Sequence, residues 1–207
     1  MGAFLDSKKH MGTSEAITQT ELSPFESARI DHFHNDPSGD EKGDTAVISQ
    51  EGARAARNRI TAWDGYVPTP LVRLPGLATA LGVADVMFKD EGGRFGLGSF
   101  KALGGAYAVS CLLAEKVGTT PEDLISGAYQ DAVETITVTS ATDGNHGRSV
   151  AWGAQNFGCA CVIFIHATVS EGRKAAIEAY GAEVRRCAGN YDDSVREAQD
   201  TATREGW

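Results

Sequence analysis

At 207 residues, with 42% apolar and 23% charged side chains, the chain has ordinary globular composition and enough length for one large domain or two small ones. Nineteen Lys plus Arg against 28 Asp plus Glu leave a net charge of −9, and no stretch gathers enough basic residues to neutralise a row of phosphates, which argues against a nucleic-acid partner. The longest strongly apolar stretch, Ala160 to Ala167, stops far short of the roughly 20 residues of a membrane span. A soluble chain with no membrane partner is expected. Four scattered cysteines are too few for a disulfide scaffold, and the N-terminus carries Asp6, Lys8 and Lys9 where a secretory signal needs an apolar run. Both point to a reducing, cytoplasmic setting.

Residues 1–50 hold few large apolar side chains, several acids and the turn-rich run Asn35-Asp36-Pro37-Ser38-Gly39-Asp40. Such a segment buries too little surface to offset its ordering entropy, which predicts a polar, flexible arm. Within it His32-Phe33-His34 could begin a metal site, but no third and fourth ligand lie nearby. The pair reads as surface histidines, and no metal is expected.

From Tyr66 the texture changes. Pro68-Thr69-Pro70-Leu71 forces an extended lead-in, because residues before proline are pushed out of the helical region. A short helix is predicted over Leu77 to Leu81, ended by Gly82, and Val86-Met87-Phe88 reads as a buried strand running into Lys89-Asp90-Glu91. A glycine-rich loop, Gly92 to Gly98, then leads to a helix capped at Ser99 with Phe100, Leu103, Tyr107 and Leu113 near one face.

The second half repeats one unit. The β-branched runs Thr135 to Thr139, Cys161 to Ile165 and Val184 are each followed by a helical pattern, over Gly147 to Phe157, Gly172 to Tyr180 and Asp193 to Arg204. Gly158 and Gly181 sit where helices end, and the acids after Tyr191 cap the last helix. The predicted class is α/β, a parallel twisted sheet with helices on both faces.

Parallel α/β sheets bind ligands in the loops beyond the carboxyl ends of their strands, and two loops there carry chemistry. In the first, Lys101 enters the start of a helix, where the positive end of the dipole disfavours an ammonium, a condition that suits an amine for work as nucleophile or base. The flanking glycines match neither nucleotide fingerprint. In the second, Ser140-Ala141-Thr142-Asp143-Gly144-Asn145-His146-Gly147 lies between a strand and a helix. There Asp143-Gly144 makes the turn and Asn145 could offer an amide donor to an anionic oxygen. Cys159 and Cys161 alternate along one strand and read as packing residues, while His166 reads as a surface residue at that strand's end.

Ser99-Phe100-Lys101, followed by a strand and then Gly144-Asn145-His146-Gly147, resembles the pyridoxal-phosphate enzymes of the tryptophan-synthase-β fold, fold type II. With Tyr66 to Leu71, Lys89-Asp90-Glu91 and Arg94-Phe95-Gly96-Leu97 added, the set is similar to the diaminopropionate ammonia-lyases of that family. The resemblance covers about Ala28 to Trp207. It implies an N-terminal arm over 1–50 and part of a two-domain catalytic architecture over 51–207, with a small α/β domain at about 100–207.

By resemblance, pyridoxal 5′-phosphate is the cofactor, held covalently by Lys101, which later moves protons. Asn145 would bond the phenolic oxygen of the pyridine ring, with Phe100 and Gly144 also against the cofactor. Asp143 is the discriminating residue, since dehydratases of this fold usually have a small hydroxyl residue there. A carboxylate in that place can act as base on the substrate α-proton, serving the D-isomer while the lysine serves the L-isomer. The implied reaction is α,β-elimination of 2,3-diaminopropionate to pyruvate and ammonia, by an enzyme that is a homodimer in its full-length form. The family's second half, which brings the glycine-rich phosphate loop, is missing here, so the resemblance also implies a fragment or a truncated form. A serine or threonine dehydratase and a non-catalytic α/β remnant are the alternatives.

Overall fold

The computed structural model describes residues 49–207. The predicted arm lies outside the described residues except for its last two positions, as do His32, Phe33 and His34. The boundary set after residue 50 falls just inside a helix, α1 (Gln50–Thr61), which Ser49 caps by accepting the N–H of Gly52 at 2.9 Å. No residue of α1 is buried, so no apolar face marks it in the sequence, while its Ala and Arg content favours a helix. Arg59 near its end lies over the Tyr107 ring at 5.0 Å and pairs with Glu122 at 3.2 Å.

Leu71–Lys89 forms a small unit of its own. Strand β1 (Leu71–Arg73) pairs antiparallel with β2 (Met87–Lys89), Val72 opposite Phe88. Between them α2 (Pro75–Leu81) starts on a proline and stops at Gly82, whose φ of 65° is the left-handed conformation expected of a terminating glycine. The expectation of a buried strand at Val86 to Phe88 is corrected here: β2 is exposed along its length, Met87 at 59% and Phe88 at 55%. A two-stranded pair has no second layer of its own on which to bury both faces.

The second unit, among the described residues, comprises 49–70 and Asp90–Trp207. After the loop to Lys101 comes α3 (Ala102–Val117), then two short helical turns, α4 (Pro121–Leu124) and α5 (Gln130–Val133). Three parallel strands follow in the order β3-β4-β5: β3 (Thr137–Ala141), β4 (Ala160–Ile165) and β5 (Glu183–Arg186). They alternate with α6 (Asn145–Phe157), α7 (Glu171–Glu178) and α8 (Tyr191–Glu205). Strand β3 begins two residues later than predicted, because Thr135 and Ile136 still donate to the carbonyls of Ala132 and Val133 in the turn ending α5.

Alternation along β4 sorts its side chains to two cores. Cys161, Ile163 and Ile165 pack with Val109 and Leu113 of α3, Val150, Ala154 and Phe157 of α6, and Ile177 of α7. Val162 and Phe164 face the other way, onto Ala198 of α8 and Cys187. Burying Ile163, Phe164 and Ile165 completely is worth about 2 kcal/mol each. Helices thus cover both faces, as the apolar run predicts. The last helix opens on a capping box, in which Asn190 is the N-cap and Asp193 one of the expected capping acids: Asp193 N–H donates to Asn190 Oδ1 at 3.1 Å and Asp193 Oδ2 accepts the N–H of Asn190 at 2.8 Å.

Candidate active site

The loop after β3 is built on Thr142. Its N–H donates to the Phe164 carbonyl at 2.9 Å, and its Oγ1 accepts the N–H groups of Gly144 and Gly147 at 3.3 and 3.2 Å, so a buried hydroxyl satisfies the first amides of α6. Gly147 makes this possible: a Cβ there would lie 2.3 Å from Thr142 Cγ2 and 3.1 Å from Ile177 Cδ1. The packing brings the exposed residues Asp143 and Asn145 to the carboxyl end of the sheet.

The glycine loop is fixed differently. Phe95 adopts φ 48°, unusual for a residue with a side chain, and its ring stacks on Trp152 at 4.8 Å. Arg94, 5% exposed, bonds Glu91, Thr69 and the carbonyl of Val67. Its guanidinium is held above the usual value, mainly by the Glu91 hydrogen bond. Beyond it, Ser99 Oγ accepts the N–H of Lys101 at 3.3 Å. The helix cap expected at Ser99 falls instead on Lys101, which precedes α3 and makes no side-chain capping bond, while the Ser99 hydroxyl is used on the Lys101 N–H just ahead of the helix.

Lys101, Asp143, Gly144 and Asn145 line one recess of about 570 Å³. Phe100 does not: its ring is 54% exposed and lies 4.9 Å from the Lys101 ammonium. The recess is also lined by His146, which the sequence marks as a helix-start residue, and by Arg148, Ser170 and Arg173, which no motif in the sequence marks. Arg173 Nη1 donates to the Asp143 carbonyl at 3.4 Å, and Ser170 caps α7 by accepting the Arg173 N–H. Partial desolvation of the His146 ring, and secondarily the Lys101 charge, hold its imidazole below the usual value. Its only signal in the sequence was its place beside Asn145. His166 bonds Thr168 at 3.0 Å and is not on the recess wall.

An amine, a carboxylate, an amide and two guanidinium groups therefore share one concavity. Arg148 keeps its Nε buried with no hydrogen-bond partner among the described residues. A carbonyl-bearing, anionic small molecule fits this donor set, the amine for the carbonyl and the cations for its oxygens. A second cavity of about 560 Å³, lined by Trp63, Phe95, Trp152 and Phe157, has no lysine and cannot do the same.

The model of one protein family, "Pyridoxal-phosphate dependent enzyme", matches residues 62–207. The chain belongs to this family. Diaminopropionate ammonia-lyase of Escherichia coli K12 is 43% identical over 167 residues, 80% of this chain and 42% of the relative. The Salmonella typhimurium LT2 protein of the same name is 40% identical over 147 residues, 69% of this chain and 36% of the relative. The crystal structure of the Escherichia coli enzyme in apo form matches with a TM-score of 0.73 over 78% of this chain and 44% of that one. A structure of that enzyme in complex with D-serine matches at 0.72 with 43% identity, covering 78% of this chain and 42% of that chain. The chain thus spans less than half the length of the curated family members it matches. The likeness extends to the fold, a mixed α/β structure with a parallel sheet.

Proposed function

We propose that this chain carries the lysine-bearing part of a pyridoxal-phosphate dependent lyase that takes 2,3-diaminopropionate to pyruvate and ammonia by α,β-elimination. The observation that carries the reading is the meeting of Lys101 and Asp143, from separate loops, in one recess, in a chain 43% identical to a diaminopropionate ammonia-lyase. Bound there, pyridoxal phosphate supplies an electron sink for the substrate α-carbon. The Lys101 amine holds the cofactor and serves as base for the L-isomer, while the Asp143 carboxylate takes the α-proton of the D-isomer. Asn145 offers its amide to the ring oxygen. Phe100 packs beside the lysine, and Gly144 lets backbone approach the ligand. Arg148 and Arg173 attract anionic oxygens. The D-serine complex of the Escherichia coli enzyme supports a site that admits a D-amino acid.

The 1–50 arm and a small domain at about 100–207 within a larger catalytic architecture remain part of this reading. Free thiols at Cys111, Cys159, Cys161 and Cys187 support a cytoplasmic setting. A homodimer in the longer form stays part of this reading by resemblance.

The test is incubation with pyridoxal 5′-phosphate, reduction with borohydride and peptide mapping, together with ammonia and pyruvate release from 2,3-diaminopropionate. In the longer protein the expected result is an adduct on Lys101 that Lys101→Ala abolishes along with product release, while the 207-residue chain alone is expected to bind the cofactor poorly and release no measurable ammonia. A Lys101→Ala chain that keeps its adduct and its activity overturns the assignment. Comparing release from serine and threonine decides against or for the dehydratase alternative.

A further inference from the structure

A serine in the interior of a helix usually turns its hydroxyl back onto its own helix, and Ser110 does so, donating to the Tyr107 carbonyl at 2.7 Å. Ser149, on α6, does not. It is 1% exposed, and its O–H leaves the helix to donate to the backbone carbonyl of Lys101 at 2.9 Å. That carbonyl already accepts the N–H groups of Gly104 and Gly105 at 3.1 and 2.9 Å. The contact exists because α3 and α6 cross with almost no space between them. A Cβ on Gly105 would lie 1.7 Å from Ser149 Oγ, and one on Gly153 would lie 2.8 Å from Ala106 Cα.

The other hydrogen bonds of the Lys101 peptide are local, from its N–H to Ser99 Oγ and to its carbonyl from Gly104 and Gly105. Both Phe100 and Lys101 are exposed, and the residues before them form an irregular loop in which Gly98 has φ 70°. The other bonds at its carbonyl come from its own helix and move with it. The Ser149 hydroxyl instead comes from the helix whose first turn carries Asn145 and follows Asp143.

We propose that Ser149 is a positioning residue, which ties the peptide of Lys101 to α6 so that the lysine amine and the Asp143–Asn145 turn keep one register across the recess. The inference rests on the reading of Lys101 as the cofactor lysine. Displacement of a reacting group by a fraction of an ångström slows chemistry that depends on orientation, so loss of the tie acts on Lys101 before it acts on the fold.

The experiment measures how fast pyridoxal 5′-phosphate with borohydride modifies Lys101 in the 207-residue chain, relative to Lys116 and Lys174 in the same sample. Ser149→Ala is expected to lower the Lys101 rate about fivefold while the reference lysines hold. Ser110→Ala, a deletion of an equally buried helix hydroxyl, is expected to change none of them. Ser149→Cys, close in shape and a weak donor, should fall between and serves if the alanine variant folds poorly. An unchanged ratio in Ser149→Ala, or an equal fall in Ser110→Ala, overturns the proposal. Ammonia release from 2,3-diaminopropionate that survives Lys101→Ala in the longer protein, with Lys101 labelling still dependent on Ser149, counts against the proposed reaction and leaves the tie standing.

Discussion

Arg94 and Glu91 meet through two hydrogen bonds, Nε to Oε2 at 2.8 Å and Nη2 to Oε1 at 3.0 Å, with the two side chains 6% and 18% exposed. The same guanidinium reaches Thr69 and the Val67 carbonyl at 3.0 Å each, so one buried cation pins the Pro68–Pro70 segment to the loop ahead of Lys101. Removing one partner of such a pair strands the other away from water. Arg94→Met should therefore lower stability by about 3 kcal/mol. Glu91→Gln, which keeps an acceptor oxygen, should cost less. Urea unfolding midpoints measure both, and equal losses would show that charge rather than hydrogen bonding holds the segment.

Thr142 and Gly147 act as a fitted pair. Thr142→Val keeps the shape and removes the acceptor for two amides, an expected cost of about 1–2 kcal/mol. Gly147→Ala overpacks the same spot, with an expected cost of about 1–3 kcal/mol. Since the nearest atom to the added methyl is Thr142 Cγ2, Thr142→Ser, which deletes that methyl and keeps the hydroxyl, should recover part of the loss. A strictly additive double mutant, measured by thermal unfolding, would place the clash elsewhere.

Asp143→Asn retains the shape of the carboxylate without its basicity. On the proposed assignment, α-proton removal should fall far more for the D-isomer of the substrate than for the L-isomer, with cofactor attachment at Lys101 unchanged. Equal losses for both isomers, measured as ammonia release, would reduce Asp143 to a turn residue.

The thiols of Cys159 and Cys161 are pushed up to about 11 and about 12, chiefly by burial. Their neutral forms are thus preferred in the folded chain. The stability they contribute is fully present below the ordinary thiol value near 9 and is lost as pH rises through the folded values. Stability should decline steeply above pH 9. Cys161→Ala should flatten that decline by up to about 1.4 kcal/mol per pH unit, after its packing cost at pH 7 is subtracted. Parallel curves for the two proteins would show that other groups govern alkaline unfolding.

Much of the fold was legible because its signals are local. The alternation within Ala160–Ile165 needs only the pleat of a strand to place Ile163 and Phe164 on opposite faces. Gly82, Gly158 and Gly181 end or follow helices at φ 65–80° because few other residues adopt that conformation without strain. Lys101, Asp143, Gly144 and Asn145 were legible for a similar reason: each sits in a loop whose place after a strand or before a helix follows from its neighbours. The exposure of β2, the extent of α1 and the recess itself were not. Arg148 and Arg173 share a wall with Lys101, and Ser149 reaches the Lys101 carbonyl, only because glycines at 105, 147 and 153 let helices and sheet approach to contact. Those approaches depend on the volumes of side chains many residues apart, which neither periodicity nor motif spacing encodes, and they become definite once the helices pack.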